Sequence, residues 1–128
     1  MLPAIIWAAA ILIITGIPGR SIPETDVLRI PGIDKAIHFI IYAVFGALLF
    51  HGLRRGKQST GKRLAAASIA TGIFYGALTE YIQHCCLTDR HGNCQDFIAN
   101  AFGTVFGVLI TGVVLKIKEE NSKRKKGV

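Results

Sequence analysis

Four apolar runs, separated by short stretches that hold most of the charge, constrain this chain more than any other feature. The runs cover residues 2–17, 36–53, 64–82 and 97–115. An α-helix needs about 20 residues to cross a hydrocarbon core of ~30 Å, and the last three runs approach that length. The 128-residue chain is therefore predicted to be one all-α domain, an integral membrane bundle of four transmembrane helices. We expect these helices at about 2–17, 34–53, 64–84 and 96–116.

The first run is the shortest of the four and has two interpretations. A cleaved signal peptide begins with a basic segment and ends at a small-residue cleavage site. The stretch "MLPAIIWAAAILIITGIPGR" has no Lys or Arg before its apolar part. We therefore expect this segment to be retained as the first helix.

The composition agrees with a membrane protein. Hydrophobic residues make up 51% of the chain and the mean hydropathy is +0.44, both high for a water-soluble domain of this size. The formal net charge of +7 could suggest nucleic-acid binding, which needs a basic surface patch interleaved with aromatic residues. The basic residues lie instead between and after the apolar runs, so no nucleic-acid partner is expected.

The positions of the basic residues predict the orientation in the membrane. Five Lys and Arg residues lie in 54–63 and six in 116–126, out of 15 in the chain. Because cytoplasmic loops carry an excess of Lys and Arg, both termini are predicted to be cytoplasmic. The loops 18–35 and 85–96 are then predicted to lie outside. The basic cytoplasmic tail, 116–128, is expected to be solvated and to contact anionic lipid.

Polar side chains gather at the predicted outer ends of the second, third and fourth helices. Within each helix they recur at spacings of three or four, which places them on one face. The set comprises Asp34, Lys35, His38, Tyr42, Glu80, Gln83, Asp96 and Asn100. Ionisable residues in a membrane almost always face the bundle interior or a wet cavity. The pattern predicts a polar pocket between helices two, three and four, open to the outside.

Glycines continue two of these polar faces. Gly72 and Gly76 precede Glu80 on its face, and Gly103 and Gly107 follow Asn100 on its own. A G-x-x-x-G pair lets two membrane helices approach closely. These four glycines are predicted to be helix-packing positions.

Three motifs, in order along the chain, resemble those of the VanZ-like membrane proteins. "DKAIHFIIY" looks like D-K-x-x-H-F-x-x-Y, and "GALTEYIQ" resembles G-x-x-x-E-x-x-Q. Arg90, followed by "DFIANAFGTVFG", is similar to R…D-x-x-x-N-x-x-G-x-x-x-G. The motifs cover about residues 32–107. The resemblance implies a small multi-pass protein of the bacterial cytoplasmic membrane, in a family named after a protein linked to teicoplanin resistance.

The candidate site residues have a functional and a structural interpretation. In the functional one, His38 and Glu80 are the candidates for acid–base catalysis or ligand contact, Gln83 and Asn100 hold a head group, and Arg90 clamps an anion because its guanidinium matches phosphate or carboxylate. In the structural one, the residues form a network that caps the second helix and bridges helices, with Asp34 near a helix N-terminus. The full ligand-binding set is Asp34, Lys35, His38, Tyr42, Glu80, Gln83, Arg90, Asp96 and Asn100.

The loop "CCLTDRHGNCQ" is richer in Cys and His than the resemblance implies. Outside the cytoplasm, Cys94 could form a disulfide with Cys85 or Cys86, or the thiols could stay free. His84, Cys85, Cys86, His91 and Cys94 could alternatively bind zinc, although their spacing is not a standard zinc signature. No cofactor and no metal is expected.

Three classes of function fit these features. The favoured one is a non-enzymatic protein whose outer pocket binds a lipid head group, a cell-envelope precursor or a glycopeptide-type ligand, with a contribution to teicoplanin resistance. The second is an intramembrane enzyme that acts on a lipid-linked, phosphate-bearing substrate through Glu80 and His38. The third is a small proton-coupled transporter, against which the crowding of polar groups near one face argues. The expected partners are the lipid bilayer and a lipid or cell-wall precursor, and a homo-oligomer is compatible with the sequence.

Overall fold

The computed structural model describes residues 1–17, 30–55, 61–86 and 94–126. These residues form four α-helices and no strand. The helices are α1 Leu2–Thr15, α2 Ile33–Arg54, α3 Gly61–Cys86 and α4 Cys94–Lys126. The all-helical prediction is therefore confirmed for this part of the chain.

Successive helices run in opposite directions. Met1 at the start of α1 lies against Gly52 near the end of α2, and the starts of α2 and α4 meet through Lys35 and Asp96. We call the end of the bundle where α2 begins the Asp34 end, and the opposite end the Arg54 end. Helices α2 and α4 are thus parallel, and theirs is the most extensive contact between two helices in the described chain.

Helix α4 is longer than its apolar segment. The helix extends beyond the predicted boundary at about 116 and continues through charged residues to Lys126. Lys and Glu have high helix propensity, and Lys116 and Glu120 form an i,i+4 pair at 4.0 Å, a spacing that stabilises helices. Residues 116–126 of the basic tail are therefore helical.

Several of the most buried side chains are polar, and many large apolar side chains are exposed, unlike the pattern of a water-soluble domain. The most buried residues include Ser68, Asn100 and Thr104, whereas the Phe74 side chain is 72% exposed. Large apolar side chains are exposed on every helix, among them Ile6, Ile13, Ile40, Phe102, Phe106 and Val113. Exposed apolar side chains in this number indicate contact with a membrane or a partner.

Two helices, α2 and α4, are long and apolar enough to span a membrane. Helix α1 is apolar but has 14 residues, which extend for about 21 Å at 1.5 Å per residue. Helix α3 has 26 residues, and Ser, Thr, Tyr and Glu side chains lower its hydropathy. The structure therefore supports two of the four predicted spans by length and composition.

Two glycines bring α4 against the backbone of α2. A Cβ atom added at Gly103 would collide with the carbonyl of Phe39, and one at Gly107 would collide with the backbone of Ala43. Only glycine allows helix backbones to approach this closely. The contact aligns the start of α4 with the start of α2, and so brings their polar residues together.

The α3 glycines face side chains of α4 instead. A Cβ atom at Gly72 would overlap the Thr104 side chain, and one at Gly76 would lie 3.2 Å from Cβ of Asn100. Thr104 and Asn100 therefore occupy hollows in the α3 surface. This packing buries both polar side chains between three helices.

Helix α1 is attached to the other helices by two hydrogen bonds from aromatic side chains. Trp7 Nε1 donates to the carbonyl of Ile41 at 3.0 Å, and the Tyr75 hydroxyl donates to the carbonyl of Ala8 at 2.6 Å. Around them lies an apolar cluster of Ala4, Ile11, Tyr42, Phe45 and Leu49. Helix α1 thus covers one side of α2 and α3.

Candidate functional site

Three helices contribute one side chain each to a hydrogen-bonded cluster at the Asp34 end. His38 Nδ1 of α2 lies 3.0 Å from Oδ1 of Asn100 on α4, and Asn100 Nδ2 donates to Oε1 of Glu80 on α3 at 3.1 Å. Asn100 is fully buried and Glu80 is buried. The amide therefore links the two residues that the sequence singled out for acid–base chemistry.

The orientation of the Asn100 amide determines the tautomer of His38. Because Nδ2 donates to Glu80, the atom that faces His38 is the acceptor Oδ1. The Nδ1 atom of His38 must then carry the hydrogen, and Nε2 of a neutral ring keeps its lone pair. Nε2 lies 3.8 Å from Oδ1 of Asp34, on the exposed side of the cluster.

Charged side chains of α2 and α4 lie next to this cluster. Lys35 Nζ lies 3.8 Å from Oδ1 of Asp96, an atom that is buried and has no hydrogen-bond partner in the described chain. The Asp34 side chain is 62% exposed. His38 Nδ1 is also 3.8 Å from Oε1 of Glu80, so an imidazolium here would contact carboxylates on both sides.

Two threonines that the sequence interpretation omitted extend the network. The Tyr42 hydroxyl lies 2.6 Å from Oγ1 of Thr79, and Thr79 donates to the carbonyl of Gly76 at 3.0 Å. Thr104 donates to the carbonyl of Asn100 at 2.9 Å. Both threonines occupy sequence positions that could have identified them, since Thr79 precedes Glu80 and Thr104 is one helical turn after Asn100.

A cavity of about 190 Å³ opens beside the cluster, between α1, α2 and α3. It is lined by Ile11, Ile14, Thr15, Asp34, Ile37, His38, Ile41, Tyr42, Thr79, Glu80 and Gln83. The predicted position between helices two, three and four is wrong, because Asn100 and the glycine contacts of α4 fill that space. Helix α1, which has few polar side chains, forms the remaining wall of the cavity.

The cavity lining combines apolar and ionisable side chains. Helix α1 contributes two isoleucines, α3 contributes Glu80 and Gln83, and α2 contributes residues of both kinds. No Lys or Arg of the described residues lines it. A site of this composition suits an amphiphilic molecule whose head donates hydrogen bonds.

A family model described as VanZ/LLP1 matches residues 4–115. The chain belongs to the VanZ/LLP1 family. The match confirms the resemblance seen in the three motifs, and with the two candidate spans it indicates a membrane protein. No curated protein and no solved structure matches the chain.

Some residues of the VanZ-like motifs line the cavity, and others lie near it without lining it. Five of the nine predicted ligand-binding residues line the cavity, namely Asp34, His38, Tyr42, Glu80 and Gln83. Lys35, Asp96 and Asn100 lie behind them without lining it. Arg90 lies outside the described residues.

The cysteine loop of this VanZ-like chain is described only at its edges. Cys85 and Cys94 are exposed and free, so the disulfide between these two is not formed. His84 is exposed. His91 and the side chain of Cys86 lie outside the described residues, so the zinc alternative stays a prediction.

One other group of side chains has the composition of a metal site. Ligand atoms of Asp34, His38 and Asp96 all lie within 4.8 Å of one another. Imidazole and carboxylate groups bind divalent metals. The Lys35 ammonium lies 3.8 Å from Oδ1 of Asp96, so an ion bound to the Asp96 carboxylate would compete with this ion pair.

Proposed function

We propose that this VanZ/LLP1 family protein binds an amphiphilic molecule of the cell envelope in the cavity at the Asp34 end. The head of the molecule would lie among Asp34, His38, Glu80 and Gln83, and an acyl or prenyl chain would lie along the isoleucines. The observation that carries the proposal is one cavity lined both by isoleucines of α1 and α2 and by the carboxyl groups of Asp34 and Glu80. Ile14 is half exposed, so a chain leaving the cavity there would meet lipid.

The proposal includes the arrangement in the membrane. We propose that all four helices span the bacterial cytoplasmic membrane, with both termini in the cytoplasm and the Asp34 end outside. The alternating helix directions and the basic residues at the Arg54 end support this orientation. Helix α1 is shorter than the other three helices. The bilayer would therefore be thinner beside α1, or α1 would begin below the membrane interface.

The ligand class follows from this location. A cavity that faces outside would meet lipid head groups, cell-envelope precursors or a glycopeptide such as teicoplanin. Binding of any of these would give the protein a part in glycopeptide resistance without a chemical reaction. The described lining of the cavity holds two carboxyl groups and no Lys or Arg. This composition favours a ligand with amine, amide or hydroxyl donors.

Native mass spectrometry of the protein released from mild detergent tests the proposal. We expect wild-type protein to retain one amphiphile, and His38→Ala and Glu80→Gln to lose it. His51→Ala and Glu120→Gln make the same changes at exposed positions outside the cavity, so these controls should retain it. Helical circular dichroism would show that all four variants fold. Equal retention by all variants would remove the support for the cavity as a binding site.

A second candidate is an intramembrane hydrolase for a lipid-linked phosphate compound. The observation that favours it is the 3.8 Å separation of His38 Nδ1 and Glu80 Oε1 on the cavity wall. Glu80 would take a proton from the attacking water, and His38 in its imidazolium form would donate the Nε2 hydrogen to the oxygen of the leaving group. Phosphate release from a polyprenyl diphosphate by wild-type protein, and its loss in Glu80→Gln, would establish this activity. Binding without release would exclude it.

A further inference from the structure

A second concave surface lies at the Arg54 end, far from the acidic cavity. It is a groove of about 450 Å³ between α2, α3 and α4. The lining residues are Phe50, Arg54, Gly61, Lys62, Ala65, Val108, Leu109, Gly112, Val113 and Lys116. We call this surface the basic groove, and none of its residues belongs to the predicted site.

Each of the three helices places one cation in the basic groove. These are Arg54 at the end of α2, Lys62 at the start of α3 and Lys116 on α4. The only carboxylates paired with them among the described residues belong to α4: Glu119 lies 2.6 Å from Arg54 and Glu120 lies 4.0 Å from Lys116. Neither glutamate lines the groove, so all of the charged residues that line it are cations.

The floor of the basic groove is apolar. Phe50 and Val108 are buried beneath it, while Leu109 and Val113 are exposed along its side. Gly112 leaves room there, since an added Cβ atom would be 3.7 Å from Phe50 Cε1. The absence of a side chain at Gly112 therefore leaves Phe50 accessible from the groove, beside the exposed apolar side chains of α4.

We infer that the basic groove binds an anionic phospholipid of the surrounding bilayer. Its phosphate would lie among Arg54, Lys62 and Lys116, and one acyl chain would lie over Gly112 and Val113. Charge complementarity and an apolar floor that continues onto a lipid-facing helix support this occupant over a soluble anion. Basic pockets between membrane helices are a known mode of recognising anionic head groups.

The lipid would have a structural consequence for the bundle. It would connect the end of α2 and the start of α3 to α4, where the described helices also meet through apolar contacts and the Arg54–Glu119 ion pair. The head group would also compete with Glu119 for Arg54. This inference is independent of the amphiphile proposed for the acidic cavity, because the two sites share no residue.

Titration of the lipid-depleted full chain with phosphatidylglycerol, followed by native mass spectrometry, tests the inference. Phosphatidylcholine with the same acyl chains is the comparison lipid. We expect phosphatidylglycerol to bind more tightly, and the double variant Lys62→Gln, Lys116→Gln to weaken it about tenfold to thirtyfold, since each cation near a membrane surface contributes about 1 kcal/mol. The double variant Lys123→Gln, Lys125→Gln removes the same charge from the exposed tail and should change the affinity by less than about threefold.

Two further variants separate a specific groove from general attraction. Gly112→Leu fills the groove without changing charge, and should weaken phosphatidylglycerol binding while leaving the acidic cavity intact. Glu119→Gln releases Arg54 and should strengthen binding. Equal losses in the groove and tail variants, or equal affinities for the two lipids, would overturn the inference. Unchanged binding in Gly112→Leu would also overturn it.

Discussion

His38 of α2 donates its Nδ1 hydrogen to Oδ1 of Asn100 on α4 across 3.0 Å. The same amide donates to Glu80 on α3, so one buried side chain orients both candidate functional groups from behind the cavity. Asn100 is therefore a positioning residue, and its position on the motif does not imply contact with a ligand. Hydrogen bonds of this kind stabilise a bundle in which little hydrophobic force acts between helices.

Replacement of Asn100 should destabilise the bundle. Asn100→Ala removes an acceptor from His38 and a donor from Glu80 in a buried setting. We expect the free energy of unfolding to fall by about 1–3 kcal/mol, the usual cost of a buried polar group left without its partner. Unfolding in a detergent–denaturant titration measures this change.

The matched control is Asn121→Ala on the exposed tail of α4. It removes the same amide at a position outside the bundle, and should change the unfolding free energy by less than about 0.5 kcal/mol. Equal effects of the two substitutions would contradict a bridging role for Asn100.

The close contact of α2 and α4 should depend on Gly107. In Gly107→Ala the new methyl group would collide with the backbone of Ala43, so the helices must separate. We expect a loss of about 1–3 kcal/mol, as for other overpacked sites, and weaker binding at the cavity because His38 and Asn100 move apart. Gly112→Ala is the control, since its Cβ atom has ordinary contacts. A loss of stability in Gly112→Ala as large as in Gly107→Ala would contradict this account.

The proposed orientation can be tested with the cysteines of the chain. Cys94 is exposed at the Asp34 end, so a variant that keeps Cys94 alone should react with a membrane-impermeant maleimide on intact cells. A variant with all three cysteines replaced by serine and Lys123→Cys added should react only after permeabilisation, because Lys123 lies in the last turn of α4, at the opposite end of the helix from Cys94. Labelling of both positions from the same side would contradict a membrane-spanning α4, and the reverse result would invert the orientation.

Much of the fold was predictable because helix periodicity places residues three and four apart on one face. This relationship put His38 on a face with Asp34 and Asn100 on a face with Asp96, while the alternating helix directions placed both at the same end as Glu80. It also drew attention to Gly103 and Gly107, since glycines on a polar face indicate a close helix contact.

The position of the cavity was not predictable from these patterns. Helix α1 supplies Ile11 and Ile14 to its wall, but isoleucine in an apolar run has no feature that distinguishes a cavity wall from a lipid-facing surface. Asn100 looked like a ligand contact because it shares a face with Asp96. Its burial depends on how α3 and α4 pack, and a single sequence does not specify that packing.

The central claim is that the cavity at the Asp34 end holds an amphiphile, and photo-crosslinking from its wall tests this most directly. Benzoylphenylalanine in place of Ile14 would lie at the cavity, whereas the same group in place of Ile13 would face the surroundings, since Ile13 is 70% exposed and does not line the cavity. After irradiation of cells, the mass of each adduct identifies the crosslinked molecule. We expect one dominant amphiphile at position 14, reduced by Glu80→Gln, and a mixture of bulk lipids at position 13. The same mixture at both positions, unaffected by Glu80→Gln, would contradict the account.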